Sequence, residues 1–427
     1  MTESFLHYLW EHRLFDFMNV RTTGGEPLRI LFPGYHNTDA GPDFRQAVVR
    51  IGPMKWAGDV EIHIRSSDWY RHHHQDDEKY LSVALHVVYE HDCEVERREG
   101  ELFPTLELKE YIPKDMFAQY QRLVASPQQF PCASYFADMP DILFQSVVSS
   151  MLMERMLRKH EAVLRMAGEC DGDWQEAFYR LLAMGFGFKT NAVAFELMAK
   201  SLPLKVLKRH ISSELQVAAL IFGQAGLLDV PADDDYTRAL KDEYAYLRYK
   251  YQLTPIGEYH WNQLRLRPPN FPCLRLAQFS TLLFQNPDMS PMLDDTFTVD
   301  TLKKFFSVSA GPYWETHYHL GKKTILKHSV ILGDTAASLL IVNTVVPYLF
   351  ARCRFFGKDD QMERVLAVLE ELPFESNKWT RQFAHTPFPR RSASDSQALL
   401  ELLQNYCSPR RCLDCPVGER IVRSIRM

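Results

Sequence analysis

Cysteine is scarce in these 427 residues, and charge of neither sign dominates. Eight cysteines in a chain this long do not make a secreted disulfide framework. Lys and Arg number 49 against 54 Asp and Glu, a formal charge of −5 that excludes a uniformly basic nucleic-acid coat. Local phosphate-binding patches stay open. The most apolar stretch, residues 338–351, falls short of the ~20 residues of a membrane-spanning helix, and Asn343, Thr344 and Pro347 interrupt it. Glu3, Glu11 and Arg13 stand where a secretory signal would be apolar, so the expected location is the cytoplasm, with no membrane partner. Internal repeats and low-complexity tracts are missing too. What is present is 46% hydrophobic, 12% aromatic and 24% charged residues, the balance of a soluble globular protein and not of a disordered one. The length points to about two to three domains.

Hydrophobic periodicity divides the chain. Phe5, Leu6, Leu9, Trp10, Leu14 and Phe17 recur at helical spacing, which predicts an amphipathic helix over 3–17. Strand-like runs follow at 28–32, 44–51, 60–64 and 81–89, with an edge strand expected in 102–108. Gly52-Pro53 and Gly58 punctuate the second and third as a hairpin. The polar stretch 66–80 reads as a loop with a short helix. From Pro113 onward the helical period dominates, at 142–167, 174–184, 191–202, 214–223, 238–251, 329–354, 362–372 and 396–407. Loops rich in Pro, Asp and Gly separate these, as at 231–235, 268–272 and 287–295. The expected architecture is an α/β domain over 1–112, a helix plus a small mixed sheet, then a larger all-α region over 113–427 in one lobe or two, ending in a cysteine-bearing tail.

The segment AGPDFRQAVVRIGPMKWAGDVEIHI carries the densest chemical signal. Asp43 follows Pro42 at the mouth of one strand, and Glu61 and His63, two apart on the next, share a sheet face. A hairpin would bring Asp43 alongside Glu61. Two converging carboxylates suit Mg²⁺ or Mn²⁺, which activates water and neutralises charge developing on a phosphate. On Pro42, Asp43 and Glu61 the chain resembles the PD-(D/E)xK nuclease superfamily, which implies a helix followed by a mixed sheet. His63 stands where that superfamily usually has lysine; a neutral imidazole there would orient water or act as base near pH 7. Trp69-Tyr70-Arg71-His72-His73-His74 is similar to the Trp-and-His segment of very-short-patch-repair-type nicking endonucleases, which implies that histidines such as His72 or His74 assist phosphodiester cleavage. Over its whole length the chain also resembles an uncharacterised bacterial family known as a domain of unknown function, through GDVEIHIRSSDW, LHVVYEHD, RPPNFPCLRLAQ and the cysteine tail.

Plainer roles compete at each position. Asp43 fits a turn, Glu61 with His63 a surface strand pair, His72–His74 a solvated loop, His86 a hydrogen-bonded core histidine, and Glu11 an exposed helix face. Residues 59–110 hold 14 acidic and 6 basic side chains, a net −8 that repels a polyanion unless metal or another segment compensates. The tail 378–427 carries 9 basic and 4 acidic residues, net +5. Arg265, Arg267 and Arg275, with Asn270 and Gln278 around a Pro-rich turn, suit phosphate and base-edge recognition or, equally, pairing with carboxylates. Cys407, Cys412 and Cys415 crowd into nine residues, a spacing that reads as soft-metal ligation, zinc or an iron–sulfur cluster, or as plain reduced thiols. A fourth ligand would come from Cys132, Cys273, Cys353 or a histidine. The leading expectation is a metal-dependent phosphodiester hydrolase acting on nucleic acid. An inactive nucleic-acid-binding or interaction protein and a small-molecule metallohydrolase are the alternatives.

Overall fold

The computed structural model describes residues 1–424 apart from 97–99, 137–138, 232, 290–296, 384–387 and 389. Part of the expected 287–295 loop therefore lies outside the described residues. Helix α1, Glu3–His12, begins where the extended Thr2 accepts the Phe5 amide at 3.3 Å. It ends at Arg13, in the left-handed region at φ +51°, five residues short of the expected helix end; Leu14 and Phe15 are buried beyond it rather than on it. Phe5, Leu6, Leu9 and Trp10 form the buried face, and the Trp10 indole donates to the Pro33 carbonyl at 2.9 Å. That bond pins α1 to the turn after β1, Leu28–Phe32.

The sheet then builds outward. Strand β2, Tyr35–His36, is too short to leave any periodicity in sequence. Strands β3, Phe44–Ile51, and β4, Met54–Arg65, form the hairpin expected at Gly52-Pro53, with Ile51 opposite Met54. Strand β4 begins six residues earlier than its apolar alternation, because its exposed first half is held by pairing to β3 and not by burial. After the short helix α2, Asp68–Arg71, come β5, Val83–Glu90, and β6, Thr105–Glu107. The order is β1-β3-β4-β5-β6, with β2 on β3. The first three strands are antiparallel, whereas β4, β5 and β6 run parallel. Buried on both faces, β5 reads as an unbroken apolar run relieved only by His86.

Helix α3, Lys114–Ala125, follows, and its Tyr120 stacks on Phe5 of α1 with ring centroids 4.9 Å apart. Two compact units emerge, one of residues 1–147 with 402–427 and the other of 148–401. The sheet unit thus extends past the expected limit at residue 112 and includes the end of the chain.

The second unit is helical. Its elements are α4, Asp141–Glu169, within which the division falls, α5, Trp174–Phe186, α6, Ala192–Ser201, α7, Leu204–Leu207, α8, Glu214–Gln224, and α9, Asp235–Tyr251. Asp173, Ser213 and Asp234 cap α5, α8 and α9 through their side-chain oxygens. Helix α10, Pro272–Gln285, is absent from the expected helices and begins at the last residue of the expected 268–272 loop: Pro272 sits in its first turn, where the missing N–H costs nothing. Then come α11, Val299–Phe305, the small hairpin of β7, His317–His319, and β8, Lys322–Lys323, and α12, Asp334–Leu340. A π-helical turn, Ile341–Val345, joins α12 to α13, Val346–Phe355. Together these make a 22-residue run that by length and composition is apolar enough to cross a membrane, but 72% of that apolar window is buried inside the unit. Tyr348 packs there against Phe178 and Trp174. Helices α14, Asp359–Glu371, and α15, Ala393–Glu401, close the unit.

The remaining chain belongs to the sheet unit. It continues in a π-helical turn, Leu402–Cys407, and ends in α16, Pro416–Arg423, which packs on α3.

Candidate metal centre

Strand alternation puts Glu61 and His63 on one face of β4, and both are buried. Asp43 enters β3 beside them: its amide donates to Glu61 Oε2 at 3.2 Å, and its Oδ2 accepts the Ile62 amide at 2.9 Å. From α1, His7 Nε2 reaches the same Asp43 oxygen at 3.3 Å. Asp43 is thus committed to backbone and His7, while Glu61 turns its other oxygen, Oε1, toward imidazoles. His74 Nε2 lies 3.2 Å and His63 Nε2 3.5 Å from Glu61 Oε1.

The loop after β4 supplies the remaining rings. His73 takes φ +60°, a left-handed conformation that reverses the chain between its two neighbours. His72 and His74 flank the site, and His73 is exposed. His72 Nδ1 stands 3.2 Å from His63 Nε2. One ligand nitrogen from each of His63, His72 and His74 falls within 4.8 Å of the others. Behind them the buried His86 of β5 meets His63 Nδ1 with its Nε2 at 2.9 Å. Trp69 closes the apolar side with Val83, Val95 and Phe103, and Tyr80 stacks on His74 with centroids 3.8 Å apart.

Burial and neighbouring charge set the electrostatics of this cluster. Burial and the neighbouring Asp43 push the Glu61 carboxyl up to about 9. Burial, then the neighbouring His86, pushes His63 down to about 2, and burial with His74 pushes His86 down to about 3. Burial likewise lowers His74. Burial opposes protonation of His7, yet the hydrogen bond and charge of Asp43 outweigh it and raise that pKa. Without metal, Glu61 is therefore a neutral acid beside the neutral imidazoles of His63, His74 and His86 at pH 7.

These separations fit an ion. Two ligands each about 2.1 Å from a tetrahedral centre stand about 3.4 Å apart, and three of the separations here, 3.2, 3.2 and 3.5 Å, are close to that value. The three imidazoles of His63, His72 and His74 form the ligand group, with Glu61 Oε1 beside His63 and His74, a nitrogen-rich set that suits Mn²⁺ or Zn²⁺ better than Mg²⁺. His7 and Tyr80 carry no signal in the sequence, and Trp69 stands out there only through the Trp-and-His segment. His7 follows Phe5 and Leu6 on a helix and looks like part of its rim, and Tyr80 looks like an ordinary core aromatic.

Other candidates lie elsewhere. Arg275 is buried inside α10, donating to Gln278 Oε1 at 2.8 Å and Asn270 Oδ1 at 2.7 Å and lying over the Phe188 ring. This is a structural placement, because the turn expected there is a helix. Arg265 and Arg267 are exposed in the second unit. Glu11 is exposed and lines a cleft of about 560 Å³ with His7, His12, His36, Arg410 and Arg411. In that cleft Arg411 pairs with Asp414 at 2.8 Å, and Arg410 donates to backbone carbonyls. Cys407, Cys412 and Cys415 are all buried in the sheet unit, together with Cys132; Cys273 and Cys353 belong to the other unit.

No curated protein and no solved structure matches this chain. A family model described as "Protein of unknown function (DUF2851)" matches residues 3–378, nearly the whole chain, and the protein belongs to that family.

Proposed function

We propose that this protein is a metal-dependent phosphodiester hydrolase acting on nucleic acid, with its reaction centre at Asp43, Glu61, His63, His72 and His74. The observation that carries this reading is the meeting of β3, β4 and the 72–74 loop around one potential cation position. The strand order supports the PD-(D/E)xK resemblance: a helix, four antiparallel strands, a short helix and a parallel fifth strand, with Asp43 at the mouth of β3 and Glu61-x-His63 on β4. A bound Mn²⁺ or Zn²⁺ would act as a Lewis acid on a phosphoryl oxygen and lower the pKa of water. The chain's own groups divide the remaining work. His86 fixes the ring of His63, and in the tautomer that donates Nδ1–H to His86, His63 presents its Nε2 lone pair to the site. Asp43 holds the Ile62 amide and His7, which keeps the β3 mouth closed on Glu61. His72, the exposed ring of the three, would be the ligand nearest the substrate. His12 and His36 in the adjoining cleft offer donors to a phosphate backbone.

A second reading, a hydrolase of small phosphodiesters, is favoured by the net −8 of residues 59–110, which opposes a polyanion. One experiment separates the two. Metal-stripped protein is assayed on single- and double-stranded DNA, on RNA and on a small chromogenic phosphodiester, with Mg²⁺, Mn²⁺ or Zn²⁺ restored. The proposal expects nucleic-acid cleavage that needs Mn²⁺ or Zn²⁺ and that Glu61→Gln or His74→Ala abolishes. Cleavage of the small diester alone transfers the assignment to the second reading. No turnover of any substrate with any of these ions removes both.

A further inference from the structure

Four of the eight cysteines converge in the sheet unit, three from the end of the chain and one from the segment after α3. All four are buried, and none forms a disulfide. The electrostatic neighbours of Cys132 are Cys407, Cys415 and Cys412; Cys407 in turn feels Cys415 and Cys412, and Cys412 feels Cys415. The backbone around them is built to hold this meeting. Cys407 closes the π-helical turn, and π turns inside helices often mark functional sites. Arg410, in the left-handed region at φ +61°, donates through one guanidinium nitrogen to the carbonyls of Ser126 at 2.7 Å and Gln128 at 2.9 Å. That clamp ties the stretch leading to Cys132 onto the loop between Cys407 and Cys412. Cys415 caps α16, its carbonyl accepting the Glu419 amide at 2.8 Å. Gly418 lies so close beneath the same loop that a Cβ there would stand 2.0 Å from the Cys412 carbonyl oxygen. Only glycine lets the loop fold down onto the first turn of α16.

We infer that Cys132, Cys407, Cys412 and Cys415 are the four ligands of a [4Fe–4S] cluster, a site separate from the histidine centre and independent of its assignment. Four buried cysteines drawn together without a disulfide form a soft-metal donor set with no solvent-exposed position. Their spacing favours the cluster over a single ion. Tetrahedral zinc with Zn–S bonds near 2.3 Å brings its sulfurs about 3.8 Å apart, yet no three of these sulfurs lie within 4.8 Å of one another. A cubane with iron at each corner holds its four thiolates farther apart than one ion does. Cys132 is the ligand distant in sequence, so the cluster would staple the tail to the body of the unit.

The test is the metal and sulfide content of full-length protein purified without oxygen. The expected result is about four irons and four acid-labile sulfides per chain with broad visible absorbance. Cys132→Ser should lose most of the iron and the absorbance, while Cys273→Ser, in the other unit, should keep both. About one zinc per chain without sulfide would overturn the cluster. Absence of both metals, even after anaerobic reconstitution with iron and sulfide, would overturn the site. Full iron and sulfide in Cys132→Ser would overturn the ligand assignment. Content in the unmutated chain decides the first two points whether or not the variant folds.

Discussion

Glu61 illustrates how burial and a neighbouring charge set the chemistry of one side chain. Its carboxyl is held near 9 in the metal-free site, so at neutral pH it resembles its own amide. Glu61→Gln should therefore leave thermal stability within about 1 kcal/mol of the unmutated protein, while metal affinity by calorimetry and any cleavage are lost. The same groups give the metal-free fold a pH signature. His63 and His86 titrate near 2 and 3 when folded against 6.5 when free, so their contribution is full above pH 6.5 and is lost as pH falls toward the folded values. Glu61 runs the other way: its contribution is full below its free value of 4.5 and is lost as pH rises through about 9. Thermal unfolding of chelator-treated protein should show greatest stability near pH 6.5, with decline on both sides. Saturating Mn²⁺ or Zn²⁺ should remove the alkaline decline by holding Glu61 ionised. His63→Lys separates two modes of ion binding. If Asp43 and Glu61 alone hold the ion, lysine restores the usual superfamily residue and cleavage survives. If the imidazoles hold it, a buried cation replaces a ligand, and both metal binding and stability fall.

At the scale of elements, the site depends on how closely β4 and β5 approach. Gly58 lies where the strands first meet: a Cβ there would stand 2.6 Å from the Ser82 carbonyl oxygen and 2.8 Å from the Ala84 Cβ. Gly58→Ala should push the strands apart and cost about 1–3 kcal/mol. Differential scanning calorimetry checks the loss, and the pairing of His63 with His86 should loosen with it. The 72–74 loop works differently. Its left-handed residue, His73, turns the chain so that His72 and His74 both face His63 from a loop, with no strand to align them.

For the molecule as a whole, the sheet unit is discontinuous in sequence, since residues 402–427 complete it. A chain ending at Glu401 would lose the packing of α16 on α3, the Arg410 clamp and three of the four clustered cysteines. Calorimetry of that truncation should show the sheet unit's transition lowered or lost. The helical unit should keep its own, because its core of Phe178, Phe186, Phe195, Phe222 and Phe279 lies within 148–401. Limited proteolysis should then cut first within residues 1–147.

Periodicity alone was enough to place β1 and β3 at their observed bounds and to find the hairpin between β3 and β4 and most of the long helices. Local alternation of burial writes those elements directly into residue order. It also put Glu61 and His63 on one face and Asp43 at the neighbouring strand mouth. Elements held by partners rather than by their own pattern were not legible: the exposed half of β4, the two-residue β2, and α10, whose prolines begin a helix where they read as a turn. The tertiary structure decided which groups meet. His7 joins Asp43 only because α1 docks beside the sheet, and His74 faces Glu61 only because the loop reverses at His73. The stretch before Cys132 meets the tail where Arg410 spans the carbonyls of Ser126 and Gln128, nearly three hundred residues earlier. Composition and spacing supply the donors; long-range backbone contacts, invisible in local pattern, select which of them share a site.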